Sequence, residues 1–492
     1  MFPALKSFAQ ARKRVSMVAV YSIVNALPRV AAGILLILYA RALSLQEFGV
    51  YGVLGAITQV LVICTEFGLP QAIIRHHADK AGDRDAELAY FASMVRGSRL
   101  LIVAALPVVA LAMFVAWDFA GIGRAQIGYF LPILLATCYF DRTSEMLAAI
   151  CNTLDRPVDY AVGRIARGAA TVAAAILFVV ILHWGVVGAM LAPLFGTIAA
   201  ASTYHFLLAR GIGLGPGRAN WTELRANLRF GLPLVPNRVS AWLRQAALRP
   251  ILAHLVPFAA VGLFSFAASL ASLPLLLSSA VDLALAPLYF KRRTGGAQEF
   301  HGKVLSFARV YVGSLFAIWV FFILFCSNLI GLFVGSRYQD AVPACAALFC
   351  ASFARLQHTF FTRQLQFLRV LWIIPAITGF GTIFTLLLVF GLTPTFGIIA
   401  AAWAVVAADT AILIGLAAAA AGREPLHYPL KMSLALLTSL ILLSIWVDAG
   451  QPLPEHYPAE ALKLGLFLSV SILTYFVWIN PNRAFIRQLI ST

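Results

Sequence analysis

The feature that most constrains this chain is the recurrence of apolar stretches of about 20 residues along its whole length. Coiled as an α-helix, such a stretch crosses a hydrocarbon core of roughly 30 Å. Hydrophobic residues make up 61% of the chain and charged residues only 12%, whereas a water-soluble protein carries about 25% charged residues. The sequence therefore predicts an all-α integral membrane protein.

We predict fourteen membrane-spanning helices. Their approximate ranges are 15–40, 49–70, 99–117, 128–150, 160–182, 186–209, 231–256, 260–288, 306–330, 341–362, 370–391, 396–420, 430–447 and 462–479. With the amino terminus inside, the inner segments and the helix ends that adjoin them hold 27 of the 37 Lys and Arg residues, and the outer segments with their helix ends hold only four. This positive-inside bias predicts that both termini are cytoplasmic. It also accounts for most of the net charge of +17 without a nucleic acid partner.

The chain also resembles itself when it is shifted by about 209 to 214 residues. Residues 49–51 align with 262–264, Arg142 aligns with Arg355, and these belong to six such matches that occur in order. They predict two six-helix lobes of the same orientation, a plan in which a transported substrate passes between the lobes. The predicted divisions are an N-lobe (1–209), a cytoplasmic linker (210–230), a C-lobe (231–420) and two extra helices with the tail (421–492).

Arginines within the predicted spans are the main candidates for function. A charge at mid-membrane costs at least about 2.5 to 3.5 kcal/mol on insertion scales, so it normally faces a partner or a water-filled cavity. The first predicted helix carries Asn25 and Arg29, and the seventh carries a polar stripe at spacings of 4, 7 and 11 residues: Arg238, Trp242, Gln245 and Arg249. We predict that both sets line one cationic cavity. Alternatively, the arginines reach the headgroup region or pair with acids of other helices.

The remaining charged residues within the spans allow two interpretations each. For Arg244, which lies off the stripe, a structural pair with an acid and a functional role in the cavity are equally supported. Arg355 can line a cavity or form a hydrogen bond within its lobe, whereas Arg142 is expected to be structural because Asp141 and Glu145 stand close to it. The candidates for ion coupling, which are also candidate partners of the arginines, are Glu66, Asp282 and Asp409.

Two kinds of chemistry find no support in the sequence. A G-x-x-x-x-G-K-[ST] loop is missing, so the chain is not itself an ATP-driven pump. The six cysteines lack CxxC spacing and a neighbouring histidine cluster. We therefore expect no cofactor, no metal and no catalytic residues.

Two segments carry a resemblance to a known family. Residues 40–51 (ARALSLQEFGVY) and 66–75 (EFGLPQAIIR) resemble the opening of the Wzx-type polysaccharide-transporter flippases, and the similarity extends through residues 331–338 and 396–400. Those flippases belong to the multidrug/oligosaccharidyl-lipid/polysaccharide (MOP) exporter superfamily. Members commonly carry an acid near the end of the second helix, where this chain has Glu66.

The resemblance implies a protein of the bacterial inner membrane that moves undecaprenyl-diphosphate-linked oligosaccharide from the cytoplasmic to the periplasmic leaflet. Its implied partners are this lipid-linked glycan, membrane lipid, and a polymerase and glycosyltransferases of the same pathway. The alternatives are a lipid II or multidrug exporter of the superfamily, a membrane glycosyltransferase or polymerase, and a structural membrane subunit. An enzyme of this kind requires catalytic carboxylates or a large external loop. The largest predicted external segment is only about 447–461.

Overall fold

The computed structural model describes residues 28, 30–77, 84–117, 126–215, 217–232, 235–275, 297–368, 370, 372–423, 428–448 and 459–482. Within these residues every regular element is a helix. The predicted all-α class is therefore confirmed. The chain divides into two compact units, Met1–Gly262 and Leu263–Thr492. The division into lobes at residues 210–230 stays a prediction.

The first unit contains ten helices among the described residues, and an eleventh crosses its boundary. They are α1 (Val30–Ala42), α2 (Leu45–Cys64), α3 (Leu69–His77), α4 (Arg84–Ala116), α5 (Ile127–Thr153), α6 (Pro157–Ala175), α7 (Gly185–Ile212), α8 (Trp221–Gly231), α9 (Val235–Gln245), α10 (Leu248–Leu255) and α11 (Phe258–Ser272). A π-helical turn, Ile176–Ile181, extends α6.

The described part of the second unit contains five longer helices. They are α12 (Ala297–Phe333), α13 (Val342–Phe367), α14 (Ile373–Ala421), α15 (Leu430–Asp448) and α16 (Ala459–Thr474). The 49 residues of α14 are interrupted at Gly397, whose φ of 65° and ψ of −153° are not helical. At 1.5 Å per residue they would measure about 70 Å, more than twice the hydrocarbon thickness. The break therefore divides α14 into two segments, as the predicted spans 370–391 and 396–420 require.

Eight helices of the described residues are long and apolar enough to cross a membrane, and Val30–Ala42 and Phe258–Ser272 are shorter apolar helices. These helices fall on the predicted spans. The protein is therefore a multi-pass membrane protein. Many of their large apolar side chains are exposed, as expected where a helix faces lipid.

The predicted seventh span is not one straight helix. The chain turns at Ala246 and Ala247, between α9 and α10. Pro250 explains the turn, because its ring clashes with the carbonyl four residues earlier, which belongs to Ala246. The predicted stripe assumed one straight helix, so a shared face for Arg238 and Arg249 stays a prediction; both residues belong to the first unit.

The two segments that resemble the flippases lie at the start and just after the end of α2. The Ser44 Oγ accepts the Glu47 N–H at 3.2 Å, and the Ser44 N–H donates to Glu47 Oε2 at 2.9 Å, which forms a capping box. After α2, Phe67 and Gly68 adopt positive φ angles of 52° and 65°. A side chain at Gly68 would collide with the backbone of Gly231, so glycine is required there. This turn places Glu66 between α2 and α3.

Two glycines that the repeat aligns pack against each other. A Cβ at Gly49 would meet the Phe258 carbonyl oxygen and the Gly262 nitrogen, and a Cβ at Gly262 would meet the Leu45 carbonyl oxygen and the Gly49 nitrogen. The contact is reciprocal, as it is when equivalent surfaces meet across a two-fold axis. Small residues allow such close approach of membrane helices.

A buried cluster in the first unit fixes the helices that carry the site. Met94 of α4, Leu147 of α5 and Leu224 of α8 are fully buried in it, together with Tyr204 of α7. The Tyr204 hydroxyl also donates to the backbone carbonyl of Tyr160 at 3.0 Å. Tyr160 lies in the first turn of α6, so this bond anchors α6 against α7.

Candidate functional site

The first unit encloses a cavity of about 540 Å³, which we call the N-unit cavity. Residues of α1, α2, α5, α6 and α7 line it. Its polar lining consists of Tyr51, Thr58, Gln59, Thr137, Asp141, Arg142, Glu145, Arg164, Arg167 and Thr171. Ligand sites of drug size generally occupy about 300 to 1,000 Å³ and carry a few convergent polar groups. The cavity therefore has the volume and lining of a binding site.

On α5, Arg142 is held by carboxylates on two sides. Its Nε donates to Asp141 Oδ2 at 3.1 Å, and its Nη2 also contacts this oxygen. Its Nη1 lies 3.2 Å from Glu66 Oε2, in the turn after α2. The side chains of Arg142 and Glu66 are 11% and 5% exposed. Pairing with Asp141 agrees with the structural role predicted for Arg142, and pairing with Glu66 adds a contact from a distant part of the chain.

On α6, two arginines face the acids of α5. Arg164 forms a bidentate pair with Glu145, with Nη1–Oε1 and Nη2–Oε2 distances of 2.6 and 2.9 Å. Arg167 donates from Nη1 to Glu145 Oε1 at 3.1 Å and from Nη2 to Asp141 Oδ1 at 2.5 Å. Arg167 therefore bridges the two acids of α5.

One further pair extends this network to α9. The Nη1 of Arg238 forms an ion pair with Glu66 Oε2. Arginines and carboxylates now alternate without interruption, and we call the set the charge chain. Its members in spatial order are Arg238, Glu66, Arg142, Asp141, Arg167, Glu145 and Arg164.

The charge chain has an arginine at each end. Four arginines against three carboxylates leave one positive charge when all are ionised. Each interior member contacts two partners of opposite charge, which offsets the large cost of burying a charge away from water. The terminal residues Arg238 and Arg164 each contact one carboxylate, and 42% of the Arg238 side chain is exposed. Arg164 also donates from Nε to the Tyr160 hydroxyl at 3.2 Å, and the exposed part of Arg238 leaves that arginine accessible to a further anion.

The second unit contains a separate polar cluster. Arg355 of α13 donates from Nε and Nη2 to Asp409 Oδ2 of α14, at 3.0 and 2.6 Å. The Nε2 of His358 lies 2.9 Å from the backbone carbonyl oxygen of Asp409. Asp409 is 1% exposed, and the Arg355 side chain is 21% exposed. Asp409, one of the candidates for ion coupling, thus pairs with Arg355 within one unit.

The other predicted site residues are only partly described. The Nε1 of Trp242 donates to the Ala56 carbonyl at 2.8 Å, which fixes the indole against α2. Arg244 and Arg249 are partly buried in the first unit. The remaining residues lie outside the described residues, or their side chains do: Asn25, Arg29, Gln245 and Asp282. The functional roles predicted for all these residues stay predictions.

Arg164 and Arg167 were not among the predicted site residues. They lie near the inner end of the predicted span 160–182 and count there as cytoplasmic charge. A signal was present: Asp141 and Glu145 are four residues apart on α5, and the two arginines are three residues apart on the next helix. Both spacings place the members of each pair on one helix face.

Comparison with known proteins places the chain in a family. The model of a family described as "Polysaccharide biosynthesis protein" matches residues 15–292. No curated protein matches the sequence. Among solved structures, the lipid II flippase MurJ in an inward closed conformation is similar, with a TM-score of 0.68 and 13% identity over 96% of this chain and 99% of that one.

Two multidrug transporters are also similar. An inward-facing MATE family transporter of the MOP superfamily has a TM-score of 0.65 and 14% identity, over 84% of this chain and 96% of that one. The MATE multidrug transporter DinF-BH has a TM-score of 0.60 and 18% identity, over 84% and 95%. Identities this low show a shared fold alone. The chain belongs to the polysaccharide biosynthesis protein family, and its fold is that of the MOP-superfamily transporters.

Proposed function

We propose that this protein is a flippase that moves undecaprenyl-diphosphate-linked oligosaccharide from the cytoplasmic to the periplasmic leaflet by alternating access. The proposal includes the bacterial inner membrane as its location and both termini on the cytoplasmic side. The family membership supports a role in polysaccharide synthesis. The similar structures, a lipid II flippase and multidrug transporters, support transport as the activity.

The observation that carries the proposal is the charge chain with its excess positive charge. A diphosphate diester presents about two negative charges, and the planar fork of an arginine binds two phosphate oxygens at once. The apolar part of the N-unit cavity lining suits neighbouring uncharged groups. A cationic drug would meet a net positive charge, so the charge chain favours an anionic lipid over a cationic substrate.

The alternation of charges also suggests how the cargo is held and released. Without cargo, the three carboxylates neutralise most of the arginine charge, so the cluster is stable in the membrane. A diphosphate that binds at one end of the charge chain competes there with the single carboxylate partner, which is Glu145 at Arg164 and Glu66 at Arg238. Exchange of one anion for another keeps both states close in free energy. Arg29 and Arg249 are proposed as further ligands of the diphosphate.

The transport test uses the two ends of the charge chain. Arg238→Ala and Arg164→Ala are each expected to lower flipping about tenfold or more, because a hydrogen bond to a charged group contributes roughly 1.5 to 3 kcal/mol. Neither change strands a carboxylate, since Glu66 keeps Arg142 and Glu145 keeps Arg167. The lysine variants should recover part of the activity, because they restore the charge without the fork.

The measurement is flipping of a fluorescent diphosphate-linked oligosaccharide in vesicles that contain the purified protein. Arg225→Ala is the matched control, because Arg225 is exposed on α8 and belongs neither to the N-unit cavity nor to the charge chain. Flipping at the native rate by both alanine variants would contradict the proposed role of the charge chain. Transport of a cationic dye instead of the lipid would favour the multidrug alternative.

The proposed topology has its own test. Reporters fused after Thr492 and inserted at residues 211–217 are expected to show cytoplasmic activity, because the inner segments carry most of the basic residues. A reporter inserted at residues 449–458 should show periplasmic activity. The opposite pattern would show that the protein has the opposite orientation in the membrane.

A further inference from the structure

A second cavity of the first unit has no role in the proposed transport mechanism. It measures about 480 Å³ and lies between α4, the carboxyl end of α7 and residues 213–215 and 217. Its charged and titratable lining consists of Arg96, Arg99 and His205. None of these belongs to the charge chain. We call it the basic cavity.

The basic cavity differs from the N-unit cavity in its balance of charge. Two arginines line it, and no carboxylate is among its lining residues in the described part of the chain. The Nε of Arg99 is buried and has no hydrogen-bond partner there. A buried donor without an acceptor costs about 1 to 3 kcal/mol, and more when it is charged. An anion in the cavity would supply this acceptor and balance the two arginines.

Two backbone acceptors close to the cavity are already occupied. The helix α7 ends at Gly213, whose φ is 75°. The Gly213 N–H donates to the Ala209 carbonyl at 3.1 Å, and the Leu214 N–H donates to the Leu208 carbonyl at 3.3 Å. These two bonds form the usual glycine cap of a helix end. They leave fewer carbonyls free to accept from Arg99.

The wall of the basic cavity is also held rigidly. A Cβ at Gly217 would lie 2.6 Å from the Ala92 Cβ, so only glycine lets this segment pack on α4. Next to it, the Asn220 N–H donates to Ser93 Oγ at 2.9 Å. The segment after α7 is thus fixed to α4 at two neighbouring points, and a fixed wall favours a defined site.

We propose that the basic cavity is a binding site for a phosphate group, held by Arg99 with Arg96 and His205. Guanidinium groups suit phosphate oxygens, and the volume holds several groups of the size of water, each of which takes about 30 Å³. Phosphate of this kind comes either from the headgroup of a membrane lipid or from a soluble phosphate compound. This site is independent of the cargo assigned to the N-unit cavity.

The residues around the basic cavity favour the lipid source. Leu100 and Val103 are exposed next to Arg99 on α4, and Phe206 is exposed next to His205 on α7. Exposed apolar side chains beside a cationic site offer a surface for acyl chains, while the arginines bind the headgroup. The predicted topology places this end of α7 on the cytoplasmic side.

The experiment measures binding to the purified full-length protein in detergent. Native mass spectrometry counts bound phosphatidic acid, and calorimetry measures inorganic pyrophosphate. Arg99→Gln is expected to weaken binding of the phosphatidic acid about tenfold, and Arg96→Gln should weaken it as well. Arg99→Lys should fall between, since it keeps the charge but not the fork. Arg423→Gln, an exposed arginine of the second unit, should leave binding unchanged.

Each outcome decides the proposal. Binding of phosphatidic acid that needs Arg99, with little binding of pyrophosphate, assigns the site to a lipid headgroup. Pyrophosphate binding that needs Arg99 supports the phosphate site and assigns it to a soluble compound. Native-like binding by both glutamine variants, or no binding of either probe by the unmodified protein, overturns the proposal. Thermal melting of each variant confirms that it is folded when it is measured.

Discussion

The change Asp141→Ala is expected to lower the free energy of unfolding by about 3 to 5 kcal/mol, because it removes one partner from the middle of a buried ionic network. Asp141 is 6% exposed and accepts from both Arg142 and Arg167. Without it, Arg167 keeps only Glu145 and Arg142 keeps only Glu66. The measurement is the melting temperature of the purified protein in detergent, together with the yield of monodisperse protein.

A rescue and a control make this prediction specific. Asp141→Ala combined with Arg167→Met removes one charge of each sign and is expected to melt well above the single variant. Asp155→Asn removes the same charge from the α5–α6 turn, where the residue is exposed, and should melt like the unmodified protein. The charge chain does not stabilise the fold if Asp141→Ala melts like this control. The same conclusion follows if the double variant melts no higher than the single one.

Much of the fold could be predicted because helix length and hydrophobicity are local properties. The spans at 370–391 and 396–420, for example, are separated by a short interval, and Gly397 supplies the break there. The break before Pro250 was also readable from the sequence. The predicted stripe on the seventh span did not take this break into account. The rotation of 100° per residue on which the stripe rests holds only within one continuous helix.

The charge chain could not be predicted, because its contacts join residues that are distant in the sequence. Glu66 contacts Arg142 and Arg238, and no local spacing relates these three positions. From the sequence, Glu66 is a candidate for ion coupling and Arg238 a separate candidate for binding the cargo. Their contact requires the turn at Phe67 and Gly68, which the apolar pattern of α2 does not reveal.

Gly49→Ala and Gly262→Ala are each expected to destabilise the protein by about 1 to 3 kcal/mol, the usual cost of adding atoms to a packed contact. Each new methyl group would collide with backbone atoms, which cannot rotate away as a side chain can. Gly55→Ala on α2 is the matched control, because nothing lies within 4 Å of its added Cβ. Alanine favours a helix by about 1 kcal/mol over glycine, so this control should melt at the native temperature or above.

The double variant tests whether the two glycines form one contact. A first methyl group must already separate α2 from α11, so a second one at the same crossing adds less than its own single effect. We therefore expect Gly49→Ala with Gly262→Ala to melt at a higher temperature than the sum of the two single shifts gives, since neighbouring changes are not additive. Independent, fully additive shifts would show that the two positions are not in contact. Single variants that melt like Gly55→Ala would show that the helices do not approach each other at these glycines.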